Sequence, residues 1–380
     1  MNEKMQSQTL ELWNNNPSGS SAALQIKELK NEDLEGVAHL HREVFSDPHA
    51  LPSSGALQAF YKSVFLDSPF ASKASPSLVA MEGGAVKGFV GVLTREFALA
   101  GEKIFIGIGS RFMVAPSVSG LVAASLLRRA ARSKIDVFFT DGANEFGGAS
   151  MRALGGVEIP LYGIQWFKVL RPFRFLSSFV KNRSSILGQL CSGISRPLDL
   201  MAGPLLAPVG NASGEWEDLS PKDIVELCGS SSSLYSLVPQ YQTFEVEWLL
   251  DFCDKSSRRG RFFSKKLPLS EASFGGIVGF LRPNGIFEIL NLWVPGKRIA
   301  EGFKALLSFA YSHGAVAVQG RMDDLFFSSL RGEKVIMKHG SWVFACGKNK
   351  AAIDAIQKGK ALMGGLEGEL WLPSARHGHT

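Results

Sequence analysis

The sequence predicts an α/β fold of mixed α+β sheets, built as two tandem domains of like design. Three observations predict it. A chain of 380 residues is longer than one ordinary hydrophobic core supports. An apolar fraction of 45% and a charged fraction of 20% mark a globular protein, and 27 phenylalanines can fill large aromatic cores. The third observation is repetition. Helices, three strands, a helix, a strand, a helix and closing strands occur twice in that order.

Taken in order, residues 1–22 read as a flexible arm ending in the turn-rich Asn14-Asn15-Asn16-Pro17-Ser18-Gly19. The first domain spans 23–170. Leu24 to Leu29 alternates as a strand. Asn31-Glu32-Asp33 caps a helix with apolar positions at Leu34, Val37, Ala38, Leu40 and Val44. A helix over 54–66 puts Leu57, Phe60, Tyr61 and Val64 on one face. Strands follow at 77–82, 86–96 and 103–114, turned at Gly83-Gly84 and Ala100-Gly101. Pro116 stops the third, and a helix runs over 118–132. A strand over 135–140 leads to Asn144, which caps a helix stopped by Gly155-Gly156. One or two closing strands fill 157–170.

A connector over 171–212 is punctuated by Pro172, Pro197, Pro204 and Pro208. The second domain spans 213–373, with a polar tail at 374–380. Leu219-Ser220-Pro221 opens a helix, and 246–253 forms another. Strands lie at 260–267, 272–282 and 285–294, a helix at 299–313, a strand at 315–320 and a short helix at 323–330. Closing strands are expected near 334–337 and 341–347, and a turn with a final strand over 364–371.

The chemistry-bearing stretch is Arg111 to Leu127, where a strand ends, a turn opens and a helix starts on small residues. A helix N-terminus of that kind offers unpaired backbone N–H groups and a positive dipole end, which attract a pyrophosphate. From Lys103 to Ile135 there are six basic residues and no acidic one. A plain α/β crossover with a solvated basic helix has the same look, so the charge does not decide alone.

Val114 and Pro116, Ala124, Leu127, Asn144 and Gly155 carry a resemblance to the GNAT superfamily of acyltransferases over about residues 23–170. Ser119 stands where that family has Arg or Gln, Val122 where it has its first Gly, and Met151 where it has Tyr. The resemblance implies two acyl-CoA N-acyltransferase-like domains, the second divergent. It implies transfer of an acyl group from acyl-CoA (acetyl-CoA or longer) or an acyl-carrier protein to a small-molecule amine or hydroxyl acceptor. Backbone N–H groups of Met113 and Val114 would hold the carbonyl and pantetheine. Ser119, Gly120, Leu121, Val122, Ala123, Ala124 and Ser125 would hold the pyrophosphate, with the Val122 side chain crowding that turn. Asn144 would bond the pantetheine arm. Met151 lacks the proton that the family's Tyr gives to the leaving thiolate. In the second domain Lys297 and Arg298 stand where phosphates would be met. Glu288 is the candidate general base, its pKa raised by partial burial; a solvent-facing strand glutamate is the alternative. Two other readings stand beside the enzyme: an inactive acyl-CoA or carrier-binding module, and an aminoacyl-tRNA-dependent transferase.

Other features narrow the partners. Between Ile159 and Leu198 the chain is basic with no acid, and a helix over 175–191 has an apolar face. That suits peripheral contact of 171–198 with anionic lipid or an acidic carrier, or packing as a linker. Arg258, Arg259, Arg261, Lys265 and Lys266 form a charged loop, and nucleic acid is not an expected partner. Cys191, Cys228, Cys253 and Cys346 lack metal or redox spacing, and no metal is expected. Met1 to Ser21 lacks an apolar signal core, and no run spans a membrane, so the expected location is cytoplasmic.

Overall fold

Strand alternation and turn chemistry set the first sheet. The computed structural model describes residues 24–45, 52–118, 120–175, 216–256, 259–270, 273–296, 298–330 and 333–373. The N-terminal arm, the connector beyond Phe175 with its expected helix, Ser119, Arg258, Lys297 and the 374–380 tail lie outside the described residues.

The first unit begins with β1 (Gln25–Glu28), α1 (Leu34–Val44), α2 (Ser54–Phe65), β2 (Leu78–Glu82), β3 (Ala85–Leu99) and β4 (Glu102–Val114). It continues with α3 (Gly120–Ala131), β5 (Val137–Ala143), α4 (Glu145–Ala153) and β6 (Val157–Glu158). Gly83 and Gly84 take φ of 58° and 80°, the left-handed pair that a tight hairpin between β2 and β3 needs. Val122, Leu126, Leu127 and Ala130 form the apolar stripe of α3 and pack on Leu78, Val90, Ile135 and Phe138. Gly109 of β4 lets Phe138 lie against the strand backbone; a Cβ there would fall inside the ring's van der Waals surface. Gly109→Ala is therefore expected to cost about 1–3 kcal/mol by overpacking. A lowered thermal midpoint checks this.

The second unit holds α5 (Pro160–Gly163), β7 (Ile164–Val169), α6 (Pro221–Ser230), β8 (Leu237–Pro239), α7 (Thr243–Asp254), β9 (Arg261–Pro268), β10 (Phe274–Leu281) and β11 (Ile286–Trp293). After these come α8 (Ile299–Ser312), β12 (Ala317–Arg321), α9 (Asp324–Leu330) and β13 (Ile336–His339). Ser220 and Asp223 form a reciprocal capping box with Pro221 in the first turn of α6, as Leu219-Ser220-Pro221 suggests. Phe303, Leu306, Leu307 and Ala310 of α8 pack on Phe263, Ile277, Phe287 and Val318 of the sheet.

The closing strands depart from a simple division of the chain. In the first sheet β14 (Trp342–Gly347), late in the sequence, sits between β5 and β6, in the order β1-β2-β3-β4-β5-β14-β6. In the second the order is β13-β7-β12-β11-β10-β9, so β7 comes from the end of the first half. The compact units are accordingly 1–159 with 342–354 and 372–380, and 160–341 with 355–371, rather than 23–170 and 213–373. The reason is geometric. β5 and β12 each present an edge that an antiparallel strand must cover, and each is covered by the strand that follows the other half. Residues 364–371 form successive turns, not a strand, because Glu367 is drawn inward to buried partners.

Candidate functional site

In the first unit β4 and β5 run parallel but pair only at Ile106–Val137, Gly107–Phe138 and Ile108–Phe139. Beyond Ile108 they diverge. The cause lies in β4, where Arg111 and Phe112 stand opposite the single residue Val90 of β3. Arg111 takes a φ of 53°, a conformation that costs an L-residue roughly 1–2 kcal/mol. Such a bulge bends the strand away from its neighbour. Ala115 N–H donates to Lys87 O (2.9 Å), so by the alternation of an antiparallel ladder Met113 N–H also faces β3. Val114 N–H therefore faces the opening. Of the two backbone donors expected here, Val114 is the one on the open side, and Met113 spends its N–H on the ladder.

The turn Ala115–Val118 is closed by Val118 N–H to Ala115 O (3.1 Å), and α3 starts two residues later. Its first turn carries no acid. Val122 is 5% exposed and faces the core, as are Ala123 and Ala124. The expected crowding by Val122 is thus absent: its side chain belongs to the buried stripe. Leu121, 55% exposed, and Ser125 are the outward side chains near this helix start.

Asn144 Oδ1 accepts from Gly147 N–H (2.8 Å) and caps α4, which leaves the side-chain amide as its donor end. Phe112 of β4 stacks on Phe146 of α4, centroids 6.0 Å apart and planes 7° from parallel. Met151 is buried in the core and offers no proton. On the α1–α2 side of the sheet, His41 Nδ1 meets Tyr61 Oη (2.8 Å), which reaches Met113 Sδ (3.6 Å). Burial raises the Tyr61 pKa, partly opposed by Arg111. This polar pair links helices 20 residues apart in sequence, and helical periodicity alone does not reveal it.

The second unit repeats the opening. β11 and β12 pair only at Ile286–Ala317, Phe287–Val318 and Glu288–Gln319. A bulge follows at Leu290. Here, however, residues 364–367 narrow the opening from the β11 side and leave a cavity of about 50 Å³ lined by Leu290, Asn291, Gly320, Arg321 and Asp323. Gly365 N–H donates to Leu290 O (2.6 Å), and Leu366 N–H donates to Asn291 Oδ1 (2.8 Å). Glu367, fully buried, accepts from Tyr241 Oη (3.0 Å) and Asn291 Nδ2 (2.7 Å). The first turn of α8 carries Glu301, which accepts from Ser270, and Arg298 donates to Ser273 Oγ (2.7 Å). A carboxylate at that helix start repels a phosphate. The two units thus share an architecture, but only the first starts the helix after its opening without an acid; on the β4 side of that opening Arg111 donates to Pro373 O.

Glu288 is reassigned by its surroundings. It is 5% exposed and is clamped by Arg259 Nη2 (3.0 Å) and Arg282 Nε (2.9 Å). Burial pushes its pKa up, but attraction and hydrogen bonds from Arg259 and Arg282 outweigh burial and hold it below the usual carboxylate value. The expectation of a raised pKa and a free base does not hold; Glu288 is a buried carboxylate held between the largely buried Arg259 and the more exposed Arg282.

A different carboxylate has the raised value. Asp323 follows β12 as Asn144 follows β5, and accepts Leu325 N–H (2.9 Å) and Tyr235 Oη (3.0 Å). Burial pushes its pKa up to about 6, against hydrogen bonds from Leu325 and Tyr235. A folded-state pKa above the unfolded one means that the native state holds a proton longer. Stability of the second unit should therefore fall as pH rises from about 4 to 6, by up to about 3 kcal/mol. Thermal midpoints across that range check it, and Asp323→Asn should flatten the profile. The repeated element order, with a polar cap after each parallel strand, is the sequence signal that points to Asp323.

Among the described residues no group of three or more His, Cys, Asp or Glu could hold a metal ion, and no helix is long and apolar enough to cross a membrane. No protein-family model and no curated protein matches the sequence. Solved structures do match. A GCN5-related N-acetyltransferase from Anabaena variabilis aligns with a TM-score of 0.56 at 13% identity, over 86% of this chain and 73% of that one. One from Kribbella flavida aligns with a TM-score of 0.54 at 15% identity, over 90% and 75%. N-myristoyltransferase of Saccharomyces cerevisiae, solved with bound myristoyl-CoA and inhibitors, aligns with a TM-score of 0.51 at 10% identity, over 88% and 82%. The chain carries the GNAT fold, with two mixed sheets.

Proposed function

We propose that this GNAT-fold chain is an acyltransferase whose first unit binds acyl-CoA, acetyl or longer, and passes the acyl group to an amine or hydroxyl acceptor. The observation that carries the reading is the divergence of β4 and β5 beside an acid-free helix start, whereas the helix start of the second unit carries Glu301. In this reading the pyrophosphate lies on the N–H groups at the start of α3. Val114 N–H donates to the pantetheine arm or the thioester carbonyl, and the Asn144 amide to the arm. The acceptor's lone pair attacks the carbonyl carbon; a C–N or C–O bond forms and the C–S bond breaks. The sulfur leaves as thiolate, and solvent carries away the acceptor's proton. A thiol ionises near pH 8.5, so its departure does not demand the acid that Met151 fails to supply. Glu288 has no part in this step.

One observation favours a second reading, binding without turnover: the buried, apolar Met151 at the position where the GNAT pattern that the sequence resembles has Tyr. Calorimetry with CoA, acetyl-CoA and myristoyl-CoA, followed by thiol release across a panel of amines and alcohols, separates the two. Binding with thiol release supports the transferase. Binding with no release for any acceptor leaves a carrier-binding module, and no binding of any thioester ends both.

A further inference from the structure

The face of α3 that continues outward from the helix start has no part in the reading above. Leu121, Ser125, Arg128, Arg129 and Arg132 recur at intervals of three and four and so share one helical face. Leu121, Arg128 and Arg129 are exposed. Beside this face and the edge strand β1 lies an open groove of about 520 Å³ lined by the three arginines, Ser125 and Ile26. Glu28 is the one acid lining it. Among the described residues no carboxylate pairs with Arg128, Arg129 or Arg132; Arg129 donates to Ile26 O (2.8 Å). Basic residues late in a helix complement its dipole, which is worth only about 0.3–1 kcal/mol each and does not call for a groove.

We infer that this face docks an acidic acyl-carrier protein, whose phosphopantetheine arm enters the same β4–β5 opening as acyl-CoA. The inference rests on the proposed acyl-transfer reading and names a donor for it. The arginines lie about 12–18 Å along α3 from Gly120, at 1.5 Å per residue. A small partner domain buries about 800 Å² in a standard interface, a patch roughly 30 Å across. A carrier whose arm phosphate sits at the helix start therefore covers the arginine stretch as well. The exposed Leu121 gives such an interface an apolar contact, and the arginines pair with the partner's carboxylates and speed encounter. Free acyl-CoA has no folded body to cover the whole stretch, and its 3′-phosphate reaches at most the near end.

The test compares two donors, octanoyl-CoA and an acidic bacterial acyl-carrier protein loaded with octanoate, in wild type, Arg128→Glu/Arg132→Glu and Arg128→Gln/Arg132→Gln. Circular dichroism and thermal midpoints confirm folding. Binding is measured directly as well as turnover, so that an inactive protein still reports. The expected result is a dissociation constant for the carrier raised at least tenfold by the glutamates and less by the glutamines. It should weaken steeply in wild type between 50 and 300 mM salt. Octanoyl-CoA affinity should stay within twofold. Equal weakening of both donors overturns the inference in favour of a site for the phosphates of CoA. Unchanged carrier binding overturns it outright. Binding of phosphatidylglycerol vesicles in place of the carrier, lost in the glutamate variant, overturns it in favour of a membrane. Absence of octanoyl-CoA binding in wild type refutes the acyl-transfer reading itself, which keeps the two failures apart.

Discussion

Replacing Leu121 by Asp should weaken acyl-CoA binding roughly 30-fold while leaving the fold as stable as before. The residue is in the first turn of α3 and more than half exposed, so little packing is lost. An acid in a first helical turn is favourable by about 0.3–1 kcal/mol, which offsets the lower helix propensity of Asp. A phosphate bound at the same N–H groups meets a like charge. At about 6 Å and an effective dielectric near 20 the repulsion is about 3 kcal/mol, or about 2 after salt screening. That corresponds to the stated loss in affinity. Leu121→Ala should bind within threefold of wild type. Calorimetry with CoA and thermal melts give both readouts. Normal CoA affinity in the Asp variant would sink the placement of the pyrophosphate at this helix.

The second large effect concerns Glu288. Glu288→Ala should lower stability by about 3–5 kcal/mol, because it strands the largely buried Arg259 without its counter-ion. For a unit of this size that is roughly 2–4 °C in melting midpoint per kcal/mol. Thiol release at a temperature where the variant is folded should match wild type. A general base behaves the other way, losing about a hundredfold or more in rate at little cost in stability. The pH sense also differs from that of Asp323. A carboxylate whose folded pKa is lowered stabilises the protein above its unfolded pKa and loses that contribution as pH falls through the folded value. Acid melts should therefore lose the Glu288 contribution below about pH 4.5, where the last part of the Asp323 penalty is being relieved.

Much of the local structure was legible. Gly83-Gly84 and Ala100-Gly101 placed two hairpins, Asn144 and Ser220 placed two helix starts, and helical periodicity placed α1, α2 and α3. Val122 is instructive. Val122, Leu126, Leu127 and Ala130 have core spacing, and the side chain of Val122 joins the core while its backbone stays in the first turn of α3. The family motif speaks for the backbone position and periodicity for the side chain. Glu288 was misjudged because its clamp depends on tertiary placement. Arg282 lies six residues away across a hairpin, and Arg259 twenty-nine away on a different segment. The narrowing of the second opening was also hidden, since Gly364 to Glu367 reads as a turn whether or not it packs on Leu290 and Asn291. Strand partners were hidden for a general reason: alternation shows that β7 and β14 are strands but carries no record of which edge each will cover.

The placement of β14 sets a timetable for biosynthesis. The first unit has emerged up to Ile159 long before Trp342 to Gly347 exists, and β5 lacks that neighbour until then. At about 5–20 residues per second the wait is on the order of 10–40 s. Through that interval β5 presents an uncovered strand edge of Val137, Phe138 and Phe139 to whatever else is in solution. The nascent first half is thus the stage at which a holding chaperone would make the greatest difference to yield. Chains released early, between the two halves, are the ones expected to aggregate.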